Sequence, residues 1–272
     1  DGKGGTDRID YQNSPGGVVV NLLTGVASDG WGGTDSVTNI ENVIGSGFND
    51  YISGDANNND LEGLAGNDTL LGGDGQDTLT GGAGNDLLDG GAQRIADGAN
   101  FSSQYDFANY RDATSGINVS LGADGTNGTA TGGGVGTDTL VNIEWVLGSI
   151  YGDVIRGSNR AVTEVIRGGA GNDTLYGGDV SGVDLGENSI DYSRAAGAVN
   201  VNLATGKASG ADGNDVFSGF QSISSGSFDD QLTGDAQDNA FIAGAGNDTI
   251  DGGAGRDMLS FQVATGGVTA SL

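Results

Sequence analysis

The sequence predicts an all-β fold, a solenoid of short parallel strands, and three observations carry that prediction. A nine-residue period runs through long stretches in unbroken register. Short segments alternate apolar and polar residues with the period of two that marks half-buried strands. No segment shows the spacing of an amphipathic helix.

The nine-residue period is the strongest of these. From Gly45 to Asp89 the chain divides into five nonads, GSGFNDYIS, GDANNNDLE, GLAGNDTLL, GGDGQDTLT and GGAGNDLLD. Their sixth positions are Asp50, Asn59, Asp68, Asp77 and Asp86, and their eighth are Ile52, Leu61, Leu70, Leu79 and Leu88. The frame returns from Gly168 to Tyr176 and again from Ser225 to Ser260. The pattern GGxGxDxUx, with U a large apolar residue, is matched at every position at Gly72 to Thr80, Gly81 to Asp89, Gly168 to Tyr176 and Gly252 to Ser260. This order decides between two readings of the composition. A chain with 55 Gly, 35% hydrophobic residues and a net charge of −27 would otherwise be read as disordered.

A longer repeat contains the nonads. Tyr11, Tyr110, Tyr192 and Phe261 each lie four residues after Asp7, Asp106, Asn188 and Asp257. Each aromatic is followed by an alternating strand: Val18-Val20-Leu22, Ile117-Val119-Leu121, Val199-Val201-Leu203 and Val268-Ala270-Leu272. A variable Gly/Asp/Thr loop comes next, then GTDSVTNIENVIGS (Gly33 to Ser46), its copy GTDTLVNIEWVLGS (Gly136 to Ser149) and a degraded third copy (Gly213 to Gly226). Asp35 to Asp50, Asp138 to Asp153 and Asp215 to Asp230 are each 15 residues apart. The expected organisation is one continuous solenoid. Residues 1–10 end a preceding unit, 11–98, 99–180 and 181–260 form three units, and 261–272 start a fourth. The stretches Gln93–Phe101 and Asp179–Gly186 break the frame and are expected as bulges or protruding loops. Partial units at both ends imply a piece of a longer repetitive protein.

Composition narrows the partners. Ten Lys and Arg against 37 Asp and Glu cannot form a basic track for nucleic acid or anionic lipid. No apolar run approaches the ~20 residues of a membrane span, and no signal peptide is visible. Without Cys or His there is no thiolate site, no usual zinc ligand and no usual general base. Oxygen donors remain, and they suit hard cations such as Ca²⁺.

With these motifs the chain resembles the repeats-in-toxin, or hemolysin-type calcium-binding, family. The resemblance implies a calcium-binding parallel β-roll, a β-helix solenoid built from GGxGxDxUx nonapeptides. Each nonad should form a six-residue turn, with Gly at positions 1, 2 and 4 for positive φ and close backbone approach, then a three-residue strand. Two nonads make one coil of 18 residues, so turns n and n+2 stack on the same edge.

In the family a Ca²⁺ lies between stacked turns and takes backbone carbonyls and sixth-position carboxylates. Carried over residue by residue, Asp50, Asp68 and Asp86 share one edge. Asn59 and Asp77 share the other, with the carbonyls of Gly90 and Gly91 closing a last site. Asp153 pairs with Asp173, Asp230 with Asp248 and Asn239 with Asp257. The implied carbonyl donors are those of Gly63, Ala65, Gly66, Gly72, Asp74, Gly75, Gly81, Ala83 and Gly84, then Gly168, Ala170 and Gly171, and finally Ala245, Gly246, Gly252, Ala254 and Gly255.

The amides of Asn59 and Asn239 should weaken their sites by removing a charge. The eleven residues from Gly157 to Arg167 show no sixth-position acid, which puts that edge in doubt. The implied total is roughly six to ten Ca²⁺. With a thin core and crowded carboxylates, binding and folding are expected as one event.

Other features stay open at this stage. Asp7, Asp35, Asp106, Asp138 and Asp215 read equally as ligands or as turn caps. Tyr11, Tyr110, Tyr192 and Phe261 read as core or cap residues rather than sugar platforms. Trp31 fits an exposed contact, and Glu41 and Glu144 a shared structural role. The expected function is a non-catalytic structural module of a secreted or cell-surface protein, unfolded inside the cell and folding outside it. Alternatives are a self-associating filament, surface-layer or adhesin segment, with copies stacked end to end, and a polysaccharide lyase or epimerase. The last lacks a base, has only Lys3 and Lys207 as lysines, and could at best hold an acidic sugar with Arg156, Arg160 and Arg167.

Overall fold

In the run Gly45 to Asp89 the apolar residue at the eighth position of each nonad has its own strand and a fully buried side chain. Ile52, Leu61, Leu70, Leu79 and Leu88 all have 0% exposure. The computed structural model describes residues 1–91, 105–122, 126–159, 162–178 and 188–260. Phe261, Arg160, the strand expected at Val268-Ala270-Leu272 and the frame breaks Gln93–Phe101 and Asp179–Gly186 lie outside them. The chain forms two compact units, Asp1–Leu147 and Gly148–Leu272.

In the first unit one parallel sheet runs through Arg8–Asp10, Asn42–Ile44, Asp60–Ala65, Thr78–Ala83, Phe107–Asn109 and Trp145–Leu147. The second sheet stacks Val19–Asn21, Tyr51–Ser53, Thr69–Leu71, Leu87–Asp89 and Thr137–Val141 in parallel. Register follows the 18-residue coil: Ile52 pairs with Leu70, Leu70 with Leu88, and Leu61 with Leu79. Turns n and n+2 therefore stack as the nonad frame requires. Each coil contributes one inward residue per sheet, so the core is a single file on each side.

The Gly/Asp/Thr stretches expected as loops are strands. Val19–Asn21, Val26–Ser28 and Thr34–Ser36 form an antiparallel meander on the edge of the second sheet. Ile117–Ser120, Gly128–Gly132 and Thr137–Val141 form another. The first strand of each meander was expected; the sequence hid Val26–Ser28 and Gly128–Gly132 because small and polar residues fill them, with Ala27 and Ala130 turned inward, each at 0% exposure. Stacked rings of Phe107 and Trp145, 4.3 Å apart, cover one outer face.

The second unit repeats the plan. One parallel sheet runs Val165–Arg167, Ser189–Asp191, Ser222–Ser224, Ala240–Ile242 and Met258–Ser260. The other holds Val154–Arg156, Thr174–Tyr176, the meander Val199–Asn202, Lys207–Gly210 and Gly213–Ser218, then Gln231–Thr233 and Thr249–Asp251. Ile155, Leu175, Ile166, Ile190 and Ile223 are fully buried. Tyr11, Tyr110 and Tyr192 are buried core residues, and Trp31 is 62% exposed.

Candidate metal centre

Glycine at positions 2 and 4 sets the shape of the turn, and glycine at position 1 makes room for it. Positive φ falls at positions 2 and 4, as at Gly73 (110°) and Gly75 (129°), or Gly82 (97°) and Gly84 (152°). Position 1 is not in the left-handed region, which corrects the expectation that all three glycines serve φ. A Cβ on Gly72 would lie 2.4 Å from Asp77 Oδ2 and 2.7 Å from the carbonyl oxygen of Gly90, one coil on. Gly63 is enclosed in the same way by Asp68 Oδ2 and the Gly81 carbonyl. Leu64 takes position 2 of its nonad with φ 78°, held there by strand pairing to Gly82.

The sixth-position acids form ladders. The Asp50 N–H donates to Asp68 Oδ1 at 2.8 Å, the Asp68 N–H to Asp86 Oδ1 at 2.8 Å, and the Asp86 N–H to Asp138 Oδ1 at 3.0 Å. On the opposite edge the Asn59 N–H donates to Asp77 Oδ1 and the Asp77 N–H to Asp106 Oδ1. In the second unit Asp153 donates to Asp173, Asp173 to Asp215, Asp230 to Asp248 and Asn239 to Asp257. Every acid–acid or amide–acid pair expected from the stacking is thus brought together.

The ladders also hold residues that the motif did not assign. Asp106 continues the edge of Asn59 and Asp77, where the Gly90 and Gly91 carbonyls alone were expected to close it. A Cβ on Gly90 would lie 2.6 Å from Asp106 Oδ2, so Gly90 acts as first position and Asp106 as sixth of one interrupted nonad. Glu164 occupies the sixth-position slot of Gly157 to Arg167, which corrects the reading that this segment lacks an acid. It is 1% exposed and accepts from the Ser158 N–H. Two extra residues displaced it from the frame. Glu41 and Glu144 play one role, accepting from the Asp7 and Asp106 N–H groups. Asp138 and Asp215 were signalled by their constant distance of 15 residues from Asp153 and Asp230. Asp35, at the same spacing from Asp50, is exposed on the meander.

One oxygen of each carboxylate serves the ladder, and the other is often left over. The Oδ2 atoms of Asp7, Asp68, Asp77, Asp86, Asp173 and Asp230 are buried and meet no hydrogen-bond donor. A buried acceptor without a partner is costly. Burial pushes the Asp68 and Asp77 carboxyls up to about 7, opposed by the backbone N–H each accepts and reinforced by neighbouring acids. Asp106 and Asp173 rise to about 8 for the same reasons. These oxygens sit beside carbonyls of the stacked turn, as at Gly63 and Gly72. Among the described residues no three His, Cys, Asp or Glu side chains gather as a metal cluster, so the donors are mixed, carboxylate with backbone carbonyl. An all-oxygen, anionic, otherwise unpaired donor set fits a hard divalent cation.

The fold and these sites define a class: an acidic parallel solenoid with stacked oxygen-donor turns. The model of the RTX calcium-binding nonapeptide repeat matches the chain in four copies, at residues 35–70, 62–94, 161–179 and 224–259. The matched stretches carry hemolysin-type RTX repeats, and they form a calcium-binding structural module. No curated protein matches the chain. Among solved structures, the crystal structure of extracellular lipase LipA from Serratia marcescens is similar over 75% of this chain, with 16% identity and a TM-score of 0.25. The similar region is 32% of that lipase, so the chain spans about a third of its length. No helix among the described residues is long and apolar enough to cross a membrane.

Proposed function

We propose that Ca²⁺ is held at the turns whose sixth-position Oδ2 is buried and unpartnered, and that its binding drives folding outside the cell. The six unpartnered Oδ2 atoms carry this reading. Asp68, Asp86 and Asp77 would hold ions in the first unit, with the carbonyls of the Gly63, Gly72 and Gly81 turns. Asp173 and Asp230 would do so in the second, with the Gly168 and Ala245 turns. Asp7 adds a site that the motif left open. Six such atoms support the low end of the range of about six to ten ions expected from stacked pairs. Asp248 and Asp257, part-buried and exposed, would make weaker sites. Bound Ca²⁺ supplies positive charge that offsets carboxylates at neutral pH; the chain supplies the spacing, the carbonyls and the dry surroundings.

The repeat units 11–98, 99–180 and 181–260 belong to the same proposal, each containing one buried tyrosine followed by stacked turns. RTX repeats are typical of secreted and cell-surface proteins, and the parent of this module is proposed to be one, folding where calcium is abundant. A second reading, end-to-end association of copies, is favoured by the meander edge Thr34–Ser36, whose three residues are all exposed.

Calorimetric titration of metal-stripped chain with Ca²⁺ tests the site assignment. Asp173→Asn should remove the Asp173 site and leave the Asp230 site and those of the first unit. Unchanged binding would refute the assignment of Asp173.

A further inference from the structure

The three units begin their nonad runs with the same kind of turn, and these turns differ at one residue that matters. Gly45 to Asp50 has Ser46 at position 2, Gly148 to Asp153 has Ser149, and Ser225 to Asp230 has Gly226. The acids are otherwise alike. Asp50 and Asp230 are 4% and 2% exposed. Each accepts on Oδ1 from the first valine of a meander, Val18 at 2.7 Å and Val199 at 2.9 Å. Each donates its own N–H to the acid 18 residues on.

At Asp50 the second oxygen is occupied. It accepts from the Ser46 N–H, and the Ser46 hydroxyl donates to Oδ1 at 2.7 Å. Ser149 repeats both bonds to Asp153, at 2.7 and 2.8 Å. At Asp230 position 2 is Gly226, the Ser225 hydroxyl donates instead to the Ala243 carbonyl, and Oδ2 is buried without a partner. Two later acids are also closed by protein groups. The Tyr110 hydroxyl donates to Asp138 Oδ2 at 3.1 Å, and the Tyr192 hydroxyl to Asp215 Oδ2 at 2.7 Å. In the first unit the file thus runs Asp50, Asp68, Asp86, Asp138, with the outer two closed by Ser46 and Tyr110 and the inner two open. In the second, Asp153, Asp173 and Asp215 repeat the order.

We propose that Ser46, Ser149, Tyr110 and Tyr192 are ion-excluding plugs, whose hydrogen bonds take the place of a Ca²⁺ at the ends of each acidic file. The number of ions is then set by which carboxylates the protein itself satisfies, not by the count of sixth-position acids. The serine hydroxyl donates to Oδ1 and so holds the carboxylate with Oδ2 against the main-chain N–H of the same serine, which satisfies both oxygens without a cation. Glycine at the same place keeps the N–H but has no hydroxyl to hold the carboxylate there, and leaves Oδ2 for a cation. The proposal rests on the calcium reading above.

Equilibrium dialysis at saturating Ca²⁺, counting ions per folded chain, tests it in both directions. Ser46→Gly and Tyr110→Phe should each bind one ion more than the wild type, and Gly226→Ser one fewer. Circular dichroism on the same samples confirms that strand content is kept. If Ser46→Gly does not fold, Ser149→Gly and Gly226→Ser decide. Folded variants with the wild-type count overturn the plugs and leave the calcium reading standing. A wild type that binds no calcium overturns both.

Discussion

The backbone N–H of Asp50 donates to Oδ1 of Asp68, 18 residues further along the chain, and Asp68 makes the same bond to Asp86. One oxygen of each carboxylate is thereby committed to stacking coils. For Asp68 and Asp86 the other oxygen is buried and unpartnered. On the proposed reading, structural and metal-binding duties are divided between two atoms of one side chain.

That division separates two substitutions. Asp68→Asn keeps an Oδ1 acceptor for the Asp50 N–H but loses the charge facing the cation. Asp68→Ala loses both. The asparagine variant should weaken calcium binding by about tenfold or more, since a bond to a charged group contributes about 1.5–3 kcal/mol. The alanine variant should also lower stability by about 1–3 kcal/mol, from the stranded N–H. Calcium titration and denaturant unfolding at saturating calcium measure the two losses separately.

Acidification should oppose calcium and support the metal-free chain. Burial raises Asp68 and Asp77 to about 7 and Asp106 and Asp173 to about 8, from the ordinary carboxylate value of 3.8. With folded values above the unfolded one, the folded metal-free chain binds more protons across that window. Its stability is fully present below about pH 4 and is lost as pH rises through 7 to 8. Metal-stripped protein should therefore show more strand at pH 4.5 than at pH 8 by circular dichroism. Calcium affinity should fall from pH 8 to pH 6, with protons released on binding.

Glycine at position 1 should be intolerant for a steric reason alone. Gly81→Ala places a Cβ 2.3 Å from Asp86 Oδ2. Gly47→Ala meets nothing within 4 Å. The first should destabilise by about 1–3 kcal/mol and reduce calcium binding; the second should stay within about 0.5 kcal/mol. Unfolding with and without calcium compares them.

The single-file core makes each inward residue count. Leu70→Ala and Leu79→Ala should each cost about 2–5 kcal/mol, while Leu23→Ala, 73% exposed, should be near neutral. Thermal unfolding in saturating calcium ranks the three.

Much of this was legible in the sequence because each nonad repeats one physical solution. Sixth-position Asp and eighth-position Leu or Ile recur in register, and stacking, burial and acid pairing follow from that register. Of the meanders only the first strands were legible, since small residues such as Ala27 and Ala130 carry no apolar alternation. Glu164 escaped, and Asp106 stayed open between ligand and turn cap, because insertions of two and more residues displaced them from the frame, although each lies against its first-position glycine, Gly157 or Gly90. Unpartnered and plugged carboxylates could be told apart only with the hydrogen bonds of Ser46 and Tyr110 in view.

The central claim is that calcium completes this fold. Far-UV circular dichroism of metal-stripped chain at pH 8, titrated with Ca²⁺ and separately with Mg²⁺, tests it most directly. A cooperative gain of strand with Ca²⁺ and not with Mg²⁺ is the predicted result. A chain already rich in strand in excess chelator would contradict it.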